Sequence, residues 1–247
     1  MLTFIHIGKT GGTTINSILS NCNIKYKEYH MKRNYKNKDK YIIWLRNPIS
    51  RFVSAFNFSH HLVNYNCINK NPKDINMSNC LYPPIIKTKI INKRGYVFHP
   101  RFDKLIKFFG TANNLADGLT SNNPEIKEKA IELMNYESKG HIFKGIGWYL
   151  NNGKFVENNI NKILFVGKQE TMKEDIEKLS GILNINLNID IVVRENIYSS
   201  EESKYLSPIA ITNLIEFYKN TDYAALKQLN KYGWISDEVL ASYYKYS

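Results

Sequence analysis

The sequence predicts an α/β fold, a central, mostly parallel sheet flanked by helices, and three stretches carry that prediction. Leu2 to Ile7, Tyr41 to Leu45 and Ile163 to Val166 are short β-branched and aromatic runs, each followed within a few residues by a segment of helical periodicity. Strands that alternate with helices pair in parallel, because the helix returns the chain across the sheet. A chain of 247 residues that is 43% hydrophobic can bury one sizeable core. The expectation is one domain over residues 1–247 with an irregular insertion around 58–100.

The first strand runs into Gly8-Lys9-Thr10-Gly11-Gly12-Thr13-Thr14, and Thr14 to Leu19 then sets Ile15, Ile18 and Leu19 on one helical face. This is the strand–loop–helix setting of a phosphate loop. Gly8, Gly11 and Gly12 let the backbone approach a ligand closely, and the helix start offers unpaired N–H groups at the positive end of its dipole. Thr10, Thr13 and Thr14 add hydroxyls, and Lys9 adds a point charge that can follow negative charge developing on a bridging oxygen. An oxyanion suits such a loop better than does a plain glycine turn with an exposed lysine.

Ile24 to His30 forms the next expected strand, ending in Glu28-Tyr29-His30. His30 then lies at a strand's carboxyl end, the edge that faces the ligand crevice in open parallel sheets. Met31 to Lys40 is polar and reads as a loop. Tyr41 to Leu45 leads into Arg46-Asn47-Pro48, where Asn47 can cap a helix and Pro48 fits its first turn. Ile49, Phe52, Val53 and Phe56 mark the apolar face. Ser54 lies on another face and can point back towards Arg46, a fork plus a hydroxyl that suits a second phosphate. Alone, Arg46 reads as a surface ion-pair residue and Ser54 as a tolerated helix serine; after a phosphate loop they read together. Arg51 is assigned a structural role.

Asn57 to Arg94 is polar and irregular, and its adjacent His60 and His61 read as solvated, without a partner at metal-ligand spacing. Phe102, Leu105, Ile106 and Phe109 form one helical stripe, and Ile126, Ala130, Leu133 and Met134 another. His99 and His141 precede helical segments and read as caps or surface residues. Thr171-Met172-Lys173-Glu174 has the form of a capping box, opening a helix with Met172, Ile176, Leu179 and Leu183 on one side. Helices are expected after Ser207-Pro208 and from Asp222 to Leu229, and the tyrosine-rich tail as a last short helix with core-like aromatics.

Lys+Arg 34 against Asp+Glu 22 gives a formal charge of +12, a balance that favours polyanionic partners. Cys22, Cys67 and Cys80 lack CxxC spacing, so neither a disulfide scaffold nor a zinc site is indicated, although a Cys67–Cys80 bridge stays open. No segment has the length or apolarity of a membrane span or signal peptide, and the expectation is a soluble, cytoplasmic protein.

The nucleotide-triphosphatase loop places its lysine last, GxxxxGK[ST], whereas here the lysine leads. GKTGGTT resembles the 5′-phosphosulfate loop of sulfotransferases, particularly the carbohydrate enzymes of heparan-sulfate type, whose loop reads close to PKTGGT. Arg46 to Phe56 resembles their 3′-phosphate motif, an arginine followed eight residues later by a serine, here Arg46 and Ser54. The later strand and capped helix also resemble that fold, and His141 to Leu150, with Lys144, Trp148 and Tyr149, resembles a segment near the acceptor cleft. The resemblance implies a P-loop NTPase-like sulfotransferase fold and 3′-phosphoadenosine 5′-phosphosulfate (PAPS) as donor, leaving adenosine 3′,5′-bisphosphate (PAP). The acceptor it implies is a hydroxyl, foremost on a carbohydrate and acidic in keeping with the basic charge, with 58–100 on the acceptor side. Neither a metal nor nucleic acid is called for. Lys9, Thr10, Gly11, Gly12, Thr13, Thr14, Arg46 and Ser54 would hold the cofactor, with Arg194 from a basic closing loop. Lys9 and His30 would be catalytic, His30 as base with Glu28 in reserve. Two other readings stand beside it: a phosphotransferase, which needs magnesium ligands and finds no acid closing an apolar strand, and a non-catalytic polyanion-binding module.

Overall fold

The computed structural model describes residues 1–22, 24–35, 39–64, 99–137, 140–187 and 200–246. Four strands, β1 (Leu2–His6), β2 (Tyr26–His30), β3 (Lys40–Leu45) and β4 (Ile163–Lys168), form a sheet in the order β2-β1-β3-β4. Every pairing is parallel. Helix α1 (Gly12–Asn21) connects β1 to β2 on one side, and the chain then passes to β3 on the other side of β1. The crevice between the carboxyl ends of β1 and β3 is therefore the switch point at which open α/β sheets bind ligands.

Strand alternation divides the core into two layers. Ile5, Tyr41, Ile43 and Leu45 face a large cluster that includes Phe52 and Phe56 of α2 (Pro48–Asn64). That layer also takes Phe102, Leu105, Ile106 and Phe109 of α3 (Pro100–Phe109), with apolar residues of α4 (Ala112–Gly118) and α5 (Pro124–Met134). Three further elements, α6 (Ile146–Leu150), α7 (Lys154–Asn159) and α10 (Pro208–Tyr218), complete it together with α11 (Asp222–Lys231). Phe4, Ile42, Trp44 and Phe165 face the opposite way, against Ile15, Ile18 and Leu19 of α1 and Ile176 and Leu179 of α8 (Met172–Leu183). Short helices α9 (Glu201–Lys204) and α12 (Asp237–Ser242) finish the described chain. None of the helices among the described residues is long and apolar enough to cross a membrane.

Side chains start several helices as expected. Asn47 Oδ1 accepts from the amides of Ile49 (2.9 Å) and Ser50 (3.2 Å), His99 caps α3, and Ser207 Oγ accepts from Ala210 N at 3.0 Å. The capping box does not form: Thr171 makes no side-chain cap, and its hydroxyl donates instead to Asp175 Oδ2 at 2.8 Å. That carboxylate also accepts from Lys168 N at 2.9 Å, so a buried acid one position beyond Glu174 captures the threonine. Helix α2 outruns the irregular stretch expected from Asn57, continuing to Asn64 because Leu62 and Val63 find core positions. His61 is buried with them rather than solvated. The central part of the expected insertion, Cys67, Cys80 and Arg194 lie outside the described residues.

Candidate functional site

The loop after β1 holds two residues in the left-handed region, Lys9 (φ 71°) and Gly11 (φ 82°). Glycine adopts this region freely; lysine does not, so the turn stores strain at Lys9. Thr10 helps to offset it, fully buried and donating its hydroxyl to the Ile7 carbonyl at 2.8 Å. Its hydroxyl thus braces the turn. Gly11 is the N-cap of α1, and no side chain caps this helix. The Thr14 amide is taken by the Gly11 carbonyl at 3.0 Å, which leaves the Gly12 and Thr13 amides for a ligand or water, beside the exposed Thr13 and the buried Thr14.

β3 is hydrogen-bonded to β1 and ends at Leu45, so Arg46 leaves the sheet beside the loop. Its Nη1 donates to the Lys9 carbonyl at 3.3 Å, joining the end of β3 to the turn after β1 across the switch point. Ser54 is buried to 5% exposure within α2. Glu170, just past β4, takes the Asn47 amide at 2.7 Å and the Tyr243 hydroxyl at 3.0 Å. It is the acid nearest in effect to Arg46, whose affinity for its proton is lowered by burial and partly restored by Glu170.

Lys9 is partly buried, with Nζ 4.2 Å from the centre of the Phe58 ring. Burial, reinforced by Arg46, lowers its pKa to about 8. The ammonium is therefore mostly retained at pH 7, yet poorly compensated, as a group awaiting an anion is expected to be.

His30 stands opposite His6 in the β1–β2 register. Its Nδ1 lies 3.1 Å from the His6 carbonyl, which can only accept, so the proton sits on Nδ1 and Nε2 carries the lone pair. The rings of His6 and His30 are 4.1 Å apart, and His6 Nδ1 is bonded to Glu28. Burial, then the neighbouring His6, lowers the His30 pKa to about 4. His141 completes the row, its ring 5.3 Å from His30. Only 6% exposed, His141 is neither a cap nor a surface residue, and burial holds its pKa well below the ordinary value. Its Nδ1 has no hydrogen-bond partner among the described residues.

Two loop glycines make room for these rings. A Cβ on Gly8 would sit 2.2 Å from His141 Nδ1, and one on Gly12 2.1 Å from His6 Cδ2. The glycines thus serve the histidine row as well as the loop. Comparison with protein-family models, curated proteins and solved structures finds no match.

Arg51 explains how His141 is held. Fully buried, it donates from Nη1 to the His141 carbonyl at 2.9 Å, and its Nε lies 3.7 Å from Asp222 Oδ2. Asp222 Oδ1 in turn accepts from Gly147 N at 2.8 Å. One ion pair therefore ties α2, the 141–147 segment and α11 together. His6, His141 and Phe58 were missed as site residues. His6 carried one signal, a polar side chain inside the strand that feeds the loop, and His141 another, as the first residue of the segment likened to one near an acceptor cleft.

Proposed function

We propose that this protein is a PAPS-dependent sulfotransferase acting on an acceptor hydroxyl, most simply that of a carbohydrate. The observation that carries the reading is the Arg46 bond to the Lys9 carbonyl, which sets a guanidinium fork beside an uncapped helix start at the sheet's switch point. A ligand with phosphates at both ends of one nucleoside fits two such sites better than a single phosphate does. The strand beside the loop ends in a cation, where a magnesium-dependent phosphotransferase needs an acid, and this favours sulfuryl over phosphoryl transfer.

The donor supplies the sulfuryl group; the chain supplies position and charge. The Gly12 and Thr13 amides with the Thr13 and Thr14 hydroxyls hold the 5′-phosphate, and Arg46 with Ser54 holds the 3′-phosphate. The Lys9 ammonium stabilises charge on the departing oxygen. His30, neutral at pH 7, takes the acceptor's proton at Nε2, and an anion bound nearby raises its proton affinity for that step. The His6 carbonyl, accepting from His30 Nδ1, orients the ring.

The test is transfer of label from 35S-PAPS to a panel of saccharides without added metal. Incorporation that is lost in Lys9→Ala and falls at least about 100-fold in His30→Ala supports the assignment. Turnover with ATP and magnesium but not with PAPS contradicts it.

A further inference from the structure

We propose that Tyr243 is a positioning residue for the second phosphate: its hydroxyl keeps the Glu170 carboxylate from closing on Arg46, so that the guanidinium stays open to an anion. The inference rests on the reading of Arg46 as the arginine that takes that phosphate, and adds what keeps it available.

An acid stands beside Arg46 and does not pair with it. Glu170 lies just past β4, and its two oxygens go to other donors: Oε1 accepts from Asn47 N at 2.7 Å and Oε2 from the Tyr243 hydroxyl at 3.0 Å. Asn47 is the residue next to Arg46, so the carboxylate is close enough to act on the arginine's proton affinity, yet Arg46 forms no ion pair among the described residues. Electrostatics alone would choose otherwise, because a partly buried guanidinium and a nearby carboxylate draw together fork to fork. Arg46 instead gives Nη1 to the Lys9 carbonyl at 3.3 Å and keeps further N–H donors.

The hydroxyl that holds the acid is itself fixed. Tyr243, only 2% exposed, follows α12, and its carbonyl accepts from the Tyr223 hydroxyl of α11 at 2.8 Å. The next ring, Tyr244, stacks on Tyr223 with centres 4.4 Å apart, and the Lys245 carbonyl accepts from Asn47 Nδ2 at 2.8 Å. Burial, then Glu170, raises the proton affinity of the Tyr243 phenol, so the group stays a donor at neutral pH. Without that hydroxyl, Oε1 can keep the Asn47 amide while Oε2 turns to Arg46 and occupies the donors a phosphate needs.

Calorimetric titrations of the full chain with PAP, adenosine 5′-monophosphate (AMP) and inorganic phosphate test this in Tyr243→Phe, Glu170→Gln and the double variant. AMP lacks the 3′-phosphate and is the internal control. Glu170 is exposed, which keeps the effect modest: Tyr243→Phe should lower the preference for PAP over AMP by about 5-fold. Adding Glu170→Gln should return the preference to the parent's value, a rescue that a merely structural role of Tyr243 does not give. Glu170→Gln alone should bind PAP at least as tightly as the parent, and this arm decides the question if Tyr243→Phe does not fold. A preference unchanged in Tyr243→Phe, one not restored in the double variant, or weaker PAP binding in Glu170→Gln overturns the role of Tyr243 and leaves the bisphosphate reading intact. A parent that binds PAP no tighter than AMP removes that reading. The role of Tyr243 then stands if phosphate binding weakens in Tyr243→Phe and recovers in the double variant, and falls with the reading otherwise.

Discussion

Replacing Arg51 should be the most damaging single change outside the loop. Its guanidinium is fully buried, holds the His141 carbonyl at 2.9 Å and faces Asp222 Oδ2 at 3.7 Å, while Asp222 is 1% exposed. Arg51→Met leaves that carboxylate buried without its cation and the His141 carbonyl without its donor. Breaking a buried pair in this way costs about 3–5 kcal/mol, equivalent to a fall in Tm of about 6–20 °C for a chain of this size. Asp222→Asn added to Arg51→Met removes the stranded charge and should recover part of the loss. The pH dependence has a defined sign. Burial already raises the Asp222 pKa above 3.8, with Arg51 opposing, so loss of Arg51 raises it further. Protonation relieves the buried charge, so the variant's deficit is full above that raised value and shrinks as the pH falls through it. Urea unfolding of parent, single and double variants across the acidic range measures all of this. A loss under about 1 kcal/mol for Arg51→Met, or a double variant no more stable than the single, would refute the ion pair as the tie between α2 and the 141–147 segment.

Four further outcomes follow from the site. Gly8→Ala drives a methyl to 2.2 Å from His141 Nδ1; thermal unfolding should show a loss of about 1–3 kcal/mol, with a parallel loss of PAP affinity. The donor kcat/KM should form a bell, falling below a limb near pH 4 as His30 protonates and above pH 8 as Lys9 loses its proton. His30, whose folded pKa is lowered to about 4 from 6.5, should also cost stability as the pH falls through that interval, and His30→Gln should flatten this part of the stability curve. Asn47→Ala removes the cap on Ile49 and Ser50 and the 2.8 Å bond to the Lys245 carbonyl; chemical denaturation should show a cost of about 1–2 kcal/mol.

Much of the frame was legible because it depends on local pattern. Short β-branched and aromatic runs marked the strands, and Ile15, Ile18 and Leu19, or Phe102, Leu105 and Ile106, marked buried helix faces at helical spacing. The turns after β1 and β3 were legible for the same reason, each being a strand end followed by a helix start. What escaped depends on partners distant in sequence. Thr171 looked like a cap until Asp175 claimed its hydroxyl. His141 looked like a surface residue because nothing nearby in sequence shows that Arg51, 90 residues earlier, holds its carbonyl. The end of α2 was misjudged because Leu62 and Val63 are set among polar neighbours, and only the tertiary core gives them a reason to stay helical.

The central claim is that two separated stretches grip the two phosphates of one nucleotide. Calorimetric comparison of adenosine 3′,5′-bisphosphate with adenosine 5′-monophosphate, with and without magnesium, tests it most directly. The account predicts at least about 10-fold tighter binding of the bisphosphate, independent of metal, with that preference abolished in Arg46→Ala. Equal affinity for the two nucleotides, or a preference that survives the loss of Arg46, would contradict it.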